Sequence, residues 1–174
     1  PGPMTLVLPL AEGHGLSSLV TAGLDSVGIR VPAHPTARAI LRALGGPVAA
    51  PSANPSGKIS ATTAQHVLSG LGGRIAAVVD DGPCTVGLES TVIGLNQPRP
   101  TLLRAGGLPS EAIEAALGAP LDVADGAEII APGQLASHYA PHASVRLNAQ
   151  AATDEEVYLG FGAASGRGPD DLTL

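Results

Sequence analysis

The sequence predicts an α/β fold, bordering on α+β, with a sheet of mixed parallel and antiparallel strands. Short apolar segments of strand length alternate along the chain with segments of helical periodicity, and clusters of glycine and proline separate them. With 174 residues, 44% of them hydrophobic, the chain is long enough for one domain with a substantial core and part of a second.

Strands are predicted where apolar residues follow one another between turn signals. The run 48–50 is short and reads as a buried strand, while 75–79 ends at a turn cluster of two aspartates, glycine and proline. The predicted strands are 4–8, 28–31, 48–50, 75–79, 90–95, 101–104 and 157–161.

Three helices are predicted from apolar residues at helical spacing and from their end signals. The first, over 36–44, stops at Gly45 and Gly46, and the second, over 62–71, has a serine or threonine as its N-cap. The third, over 109–117, has proline near its first turn and Gly118 after its end.

The chain changes character after the third helix. Helical periodicity fades over 119–144, which reads as a linker, and a new strand pattern follows it. About thirty residues after a linker are too few for a domain. We therefore expect one domain over 1–118, a linker over 119–144 and the beginning of a second domain over 145–174.

Composition excludes several classes of function. A net charge of −6 argues against a broad basic face for duplex nucleic acid, although a small cationic pocket is compatible with it. The aromatic residues are only Tyr139, Tyr158 and Phe161, so base stacking is not expected in the first 138 residues. Cys84 is the single cysteine, which excludes an internal disulfide and fits a cytoplasmic setting. No window is apolar enough for a membrane span.

The loop over 51–60 is the most informative polar segment. It holds Ser52, Asn54, Ser60, a lysine, a glycine and two prolines, directly after an apolar run. Two prolines so close together forbid a helix, and hydroxyls on such a rigid loop are well placed to meet a ligand. A solvated turn is the alternative interpretation, because these are also the ordinary turn residues.

Three further polar groups lie at the ends of predicted strands. Arg30 is a lone cation in an apolar strand, where it either points to water or grips a carboxylate or phosphate through its planar guanidinium. Ser90 begins a strand after a glycine-containing loop, and Arg104 ends a strand beside two glycines. Arg104 either approaches a nucleotide or caps the edge of the sheet.

Several standard catalytic patterns are absent from the sequence. It contains no GxxxxGK[ST] loop, and Ser90 lies in no G-x-S-x-G turn, so a hydrolase nucleophile is disfavoured. His138 and His142 are four residues apart, but Pro141 disfavours an intact helix that would present them as a metal-binding pair. A ligand-binding role suits the polar groups better.

Five motifs in this order resemble the YrdC-like domain of threonylcarbamoyl-AMP synthases. They are PGPMTLVL, SVGIRVPAHP, PVAAPSANPSGKIS, VVDDGPCTVGLESTVI and TLLRAGG, and they cover roughly residues 1–118. The later run APGQLASHYAPHA resembles the linker of the long members. The resemblance implies a YrdC-like twisted mixed sheet around a concave cavity, followed by the start of a Rossmann-like C-terminal domain.

The resemblance also implies a reaction. L-threonine, bicarbonate and ATP, with Mg²⁺, would give L-threonylcarbamoyl-AMP and pyrophosphate, and the product would serve t⁶A modification of adenosine 37 in tRNA. Transfer of the adenylyl group needs positioning and charge neutralisation more than a nucleophilic side chain. The implied partners are the three substrates, with tRNA or proteins of the later threonylcarbamoyl transfer as further possibilities.

The resemblance assigns roles to individual residues. It implies that Arg30 pairs with the threonine carboxylate and that Ser90 and the backbone of Ala50 complete the threonine site. Tyr139 would fold over the nucleotide. The remaining residues would contact ATP or orient its loop, and they are Ser26, Ser52, Asn54, Ser60 and Arg104.

One feature departs from the family pattern, and two other functions stay open. The N-terminal Lys/Arg motif that precedes the PGP stretch in the family is absent, so we expect this chain alone to have little or no synthase activity. The alternatives are the YrdC-like carbamoyltransferase domain of hydrogenase maturation and a non-catalytic RNA-binding module. The HYAP linker and the lack of cysteine pairs disfavour the first, and the net charge of −6 disfavours the second.

Overall fold

The computed structural model describes residues 1–124, 144–160 and 172–173. The chain divides into two compact units, Pro1–Ala140 and Pro141–Leu174. No helix within the described residues is long and apolar enough to cross a membrane.

A five-stranded mixed sheet forms the centre of the first unit. Its strands are β1 (Met4–Pro9), β2 (Ser26–Ile29), β3 (Thr91–Gly94), β4 (Thr101–Arg104) and β5 (Asp122–Val123). They lie in the order β2-β1-β3-β4-β5. The β1–β3 and β4–β5 pairs are parallel, whereas β1–β2 and β3–β4 are antiparallel. The predicted mixed sheet and α/β class are thereby confirmed.

In the described part of this unit the sheet is accompanied by four helices: α1 (Ser18–Thr21), α2 (Pro35–Leu44), α3 (Ala64–Leu71) and α4 (Ser110–Leu117). The last three are the predicted helices, and their end signals act as expected. The Thr63 hydroxyl accepts a hydrogen bond from the backbone N–H of His66 at the start of α3. Helix α2 ends at Gly45, whose φ of 74° is a conformation that glycine adopts without strain.

Two predicted strands are wrong. Residues 48–50 and 75–79 are irregular, and Val48 and Val79 expose 48% and 67% of their surface. An apolar run becomes a strand only where a neighbouring strand offers backbone partners, and in the described part of the chain neither run has one. The prediction over 28–31 is displaced, since β2 ends at Ile29 and leaves Arg30 just outside it.

The core lies on both faces of the sheet, in two small clusters. On one face Ile93 packs with Ile113 of α4 and with Leu121. On the other face Val7 and Val92 pack with Leu103, and Val7 is only 1% exposed. Leu121 is buried in the first cluster and β5 follows it, so the sheet of the first unit continues past residue 118.

The second unit has a two-stranded parallel sheet in its described part. The strands are β6 (Leu159–Gly160) and β7 (Leu172–Thr173). Strand β6 falls within the predicted strand over 157–161, of which residue 161 lies outside the described residues. In the segment before β6, Arg146 Nε donates a hydrogen bond to Glu156 Oε1 at 2.9 Å.

Candidate functional site

One face of the first unit's sheet carries hydroxyl and guanidinium groups, and we call it the polar face. It comprises Thr5 on β1, Ser90 just before β3, Arg104 on β4, and Ser26 and Gly28 on β2. Alternation along a strand sends every second side chain to the same face. Thr5 therefore shares the face of Val7, Ser90 shares that of Val92, and Gly28 is paired with Val7.

Ser90 is the centre of the polar face. It is 5% exposed, and its Oγ lies 2.7 Å from Thr5 Oγ1. Arg104 donates from Nη2 to the Ser90 carbonyl at 2.8 Å and to Ser90 Oγ at 3.3 Å, while its Nε donates to the same carbonyl at 3.3 Å. One guanidinium thus holds both the backbone and the side chain of Ser90.

Two glycines allow the chain after Arg104 to pass close to Ser90. The N–H of Gly107 donates to the carbonyl of Glu89 at 2.8 Å. A Cβ on Gly106 would lie 2.5 Å from backbone atoms of Glu89, Ser90 and Thr91, so only glycine fits there without movement of the backbone. The two glycines beside Arg104 thus lie against the protein's own backbone.

Ser26 and Arg30 lie near the two ends of β2. Ser26 is 8% exposed and, with Pro9, Leu24, Asp25 and Asn96, lines an open depression. Arg30 follows β2 and is exposed. The structure thus places Ser26, Ser90 and Arg104 on the polar face, and leaves the Arg30 side chain accessible to solvent beyond the end of β2.

The loop over 51–60 is organised by Asn54. Its Nδ2 donates to the carbonyls of Pro55 and Lys58, each at 2.9 Å, which closes the loop on itself. Asn54 Oδ1 and Ser60 Oγ are buried atoms without a hydrogen-bond partner, which is unusual for buried polar atoms. Ala50 and Ser52 are exposed. Tyr139 lies outside the described residues.

The carboxylates of the acidic turn after residue 79 already have partners within the protein. Asp80 Oδ1 accepts the N–H of Gly82 at 3.1 Å, and Asp81 accepts the hydroxyl of Thr36 and lies 3.7 Å from His34 Nε2. Within the described ranges no three His, Cys, Asp or Glu side chains group as metal ligands.

Thr5 is the residue of the polar face that sequence reasoning missed. A threonine in a strand is an ordinary β-forming residue, so its local pattern carries no functional signal. The parallel pairing of Met4 with Thr91 brings Thr5 beside Ser90, across 85 positions of sequence. The PGPMTLVL motif marks this segment through the family resemblance, but it does not single out Thr5 within the segment.

Family models match almost the whole chain. The Sua5–YciO–YrdC model, described as "Telomere recombination", matches residues 1–106, and the model described as "Threonylcarbamoyl-AMP synthase, C-terminal domain" matches residues 108–168. The boundary between the two models falls between β4 and α4, earlier than the boundary that the sequence predicted.

Curated relatives agree with these models. The threonylcarbamoyl-AMP synthase of Bacillus subtilis is 49% identical over 84% of this chain and 43% of its own length. That of Pyrococcus abyssi is 44% identical over 83% of this chain and 44% of its own length. This chain therefore spans less than half the length of these relatives.

A solved structure shares the fold. The crystal structure of P. abyssi Sua5 complexed with L-threonine matches all of this chain and 56% of its own, with a TM-score of 0.81 and 36% identity. Fold, family models and relatives agree that this chain belongs to the threonylcarbamoyl-AMP synthase family.

Proposed function

We propose that this chain is part of an L-threonylcarbamoyladenylate synthase, a nucleotidyltransferase that supplies threonylcarbamoyl-AMP for t⁶A37 modification of tRNA. The observation that carries the proposal is the match of the entire chain to a structure that holds L-threonine, at 36% identity. The match of residues 108–168 to the synthases' own C-terminal domain favours this function over a hydrogenase-maturation carbamoyltransferase.

The reaction requires two bonds to form in sequence. The threonine amine adds to the carbon of bicarbonate and water leaves, which gives a carbamate. A carbamate oxygen then attacks the α-phosphorus of ATP, the bond from that phosphorus to the bridging oxygen of the β-phosphate breaks, and pyrophosphate departs. Neither step needs a nucleophilic side chain, so a site of hydroxyls and guanidinium groups suffices.

The proposed roles follow the family pattern. Arg30 pairs with the threonine carboxylate, since a guanidinium fork matches a carboxylate in geometry and charge. Ser90 and the backbone of Ala50 complete the threonine site, and Tyr139 covers the nucleotide. The ATP-binding residues are proposed to be Ser26, Ser52, Asn54, Ser60 and Arg104. The unpartnered oxygens of Asn54 and Ser60 support a ligand at the loop, because buried polar atoms ordinarily have a partner.

Mg²⁺ is proposed to enter with ATP, as part of that substrate. Magnesium keeps several waters and binds nucleotide phosphates readily, with few protein ligands of its own. We also propose a cytoplasmic setting, in keeping with the single, exposed thiol of Cys84.

The test is threonine-dependent release of pyrophosphate from ATP in the presence of bicarbonate and Mg²⁺, by the full-length gene product. Arg30→Ala is expected to raise the threonine KM more than tenfold, whereas Arg74→Ala, a matched loss of an exposed arginine outside the site, is expected to change little. Carbamoyl phosphate replacing bicarbonate and threonine as substrate would indicate the carbamoyltransferase. Salt-sensitive RNA binding without pyrophosphate release would indicate the RNA-binding module.

A further inference from the structure

We propose that Thr5 is a positioning residue that commits the Ser90 hydroxyl to donate its proton to the bound ligand. The inference rests on the proposed function, because it assumes that Ser90 meets L-threonine or the carbamate made from it. It adds a residue that touches no substrate and acts through Ser90.

The argument starts from the number of hydrogen bonds that Ser90 can make. A serine hydroxyl has one proton to donate and two lone pairs to accept with. Arg104 has only protons to offer, so its 3.3 Å contact with Ser90 Oγ occupies one lone pair. Thr5 Oγ1, at 2.7 Å, then either fills the second lone pair or takes the serine's only proton.

The hydrogen-bonding groups of the ligand indicate whether Thr5 donates to Ser90 or accepts from it. The carboxylate of threonine and the oxygens of a carbamate are acceptors only, so a useful Ser90 must keep its proton for them. When Thr5 donates, both lone pairs of Ser90 are filled and its proton points away from Thr5 and Arg104. With both lone pairs filled, the Ser90 hydroxyl can act only as a donor. It therefore binds an acceptor oxygen of the ligand in preference to an ammonium group.

Strand pairing, the stiffness of χ1 and the space left by Gly28 fix the position of the Thr5 side chain. Strand β1 lies between β2 and β3, and the Thr5 backbone is paired with Val92 of β3. Threonine is β-branched and therefore stiff at χ1. Its Cγ2 lies 3.2 Å from where a Cβ on Gly28 would be, so Gly28 leaves the methyl the space it occupies.

The test is a double-mutant cycle in the full-length gene product, read as L-threonine affinity by calorimetry with a non-hydrolysable ATP analogue and Mg²⁺. Thr5→Val removes the hydroxyl and keeps the shape, and we expect roughly three- to tenfold weaker binding, the usual worth of one hydrogen bond. Thr5→Ser is expected to restore most of the affinity. In a Ser90→Ala background, Thr5→Val is expected to have no further effect, because its target is gone.

Thr101→Val is the matched control. Thr101 is another strand threonine, buried where Thr5 is half-buried, and its hydroxyl donates to the Arg99 carbonyl at the opposite end of β4 from Arg104. We expect a lower melting temperature and unchanged threonine affinity. An equal loss of affinity from Thr5→Val with and without Ser90, or no loss at all, would overturn the inference.

Failure of the proposed function has a different signature. A folded wild-type protein that binds no threonine would overturn the proposed function, and the donor role of Ser90 with it. Urea unfolding without ligand would still show whether the two hydroxyls are coupled. The comparison is of the free energies of unfolding of the wild type, Thr5→Val, Ser90→Ala and the double variant. Coupling in unfolding with no effect on ligand affinity would mean that the pair is structural, which also overturns the inference.

Discussion

Replacing Gly106 by alanine is expected to damage both the stability of the sheet and the geometry of Ser90. The new Cβ would lie 2.5 Å from the Glu89 carbonyl oxygen, the Ser90 carbonyl carbon and the Thr91 nitrogen. Ordinary van der Waals contact begins at 3.4 Å, so the segments must separate by about 0.9 Å. All three atoms belong to the backbone, which cannot swing aside as a flexible side chain can.

The magnitude follows from two costs. Overpacking of this kind destabilises proteins by about 1–3 kcal/mol. A displacement of this size would also stretch the 2.8 Å bond from Arg104 to the Ser90 carbonyl beyond hydrogen-bonding distance. Hydrogen bonds to charged groups contribute about 1.5–3 kcal/mol, of which water recovers part. We expect Gly106→Ala to lower the free energy of unfolding by about 3 kcal/mol.

The assay is urea denaturation, with threonine affinity measured on the folded fraction. Gly87→Ala is the matched control, because a Cβ at Gly87 meets nothing within 4 Å and Gly87 has no left-handed backbone conformation. It should change the free energy of unfolding by no more than about 0.5 kcal/mol. If Gly106→Ala proves as stable as Gly87→Ala and binds threonine as well, the close packing of this glycine against Ser90 does not constrain the site.

Three further predictions test other parts of the structure. Arg104→Lys is expected to lower the free energy of unfolding by about 1–2 kcal/mol in urea, since lysine cannot reproduce the guanidinium fork on Ser90, and an unchanged midpoint would contradict this. Thr63→Ala removes the N-cap of α3 and should cost about 1 kcal/mol in the same assay. The hydrogen bond from Arg146 lowers the pKa of Glu156 to about 2 from its ordinary value of 4.5. The stabilisation from this pair is therefore complete above pH 4.5 and is lost as the pH falls towards 2, which NMR titration of the Glu156 carboxylate measures; a pKa near 4.5 would show that the pair does not form.

The sequence predicted those elements whose signals are local. Helices α2, α3 and α4 combine helical spacing with a cap or stop residue, and both kinds of signal are contained within a dozen positions. Helix α1, with four residues, is too short to display a period. Strand β5 has two residues and exists through its pairing with β4, which no local pattern records.

The candidate site shows the same division. Arg30, Ser90 and Arg104 stand out in the sequence because each is a polar group at the end of an apolar run, and their roles in binding stay predictions. Thr5 was not, since its importance comes from its distance to Ser90 rather than from its own neighbours. The pattern at residues 48–50 predicts a strand although the backbone there is irregular, because three apolar residues between a proline and a polar loop suit either state.

A β-bulge in β4 places both a core leucine and Arg104 on the polar face. Val92 pairs with Arg104, whereas Ile93 pairs with Leu102, so Leu103 is an extra residue in β4. Without it, strict alternation would send Arg104 to the same face as Leu102, onto the side covered by α4.

The extra residue lets two successive side chains serve the same face. Leu103 packs with Val7 and Val92, and Arg104 still reaches Ser90. The bulge therefore explains how a four-residue strand supplies apolar groups to both clusters and a guanidinium to the site. Bulges commonly redirect a side chain in this way beside a functional site. The register of β4 therefore determines on which face of the sheet the Arg104 guanidinium lies. The position of this positive charge depends on the strand pairing as well as on the identity of the residue.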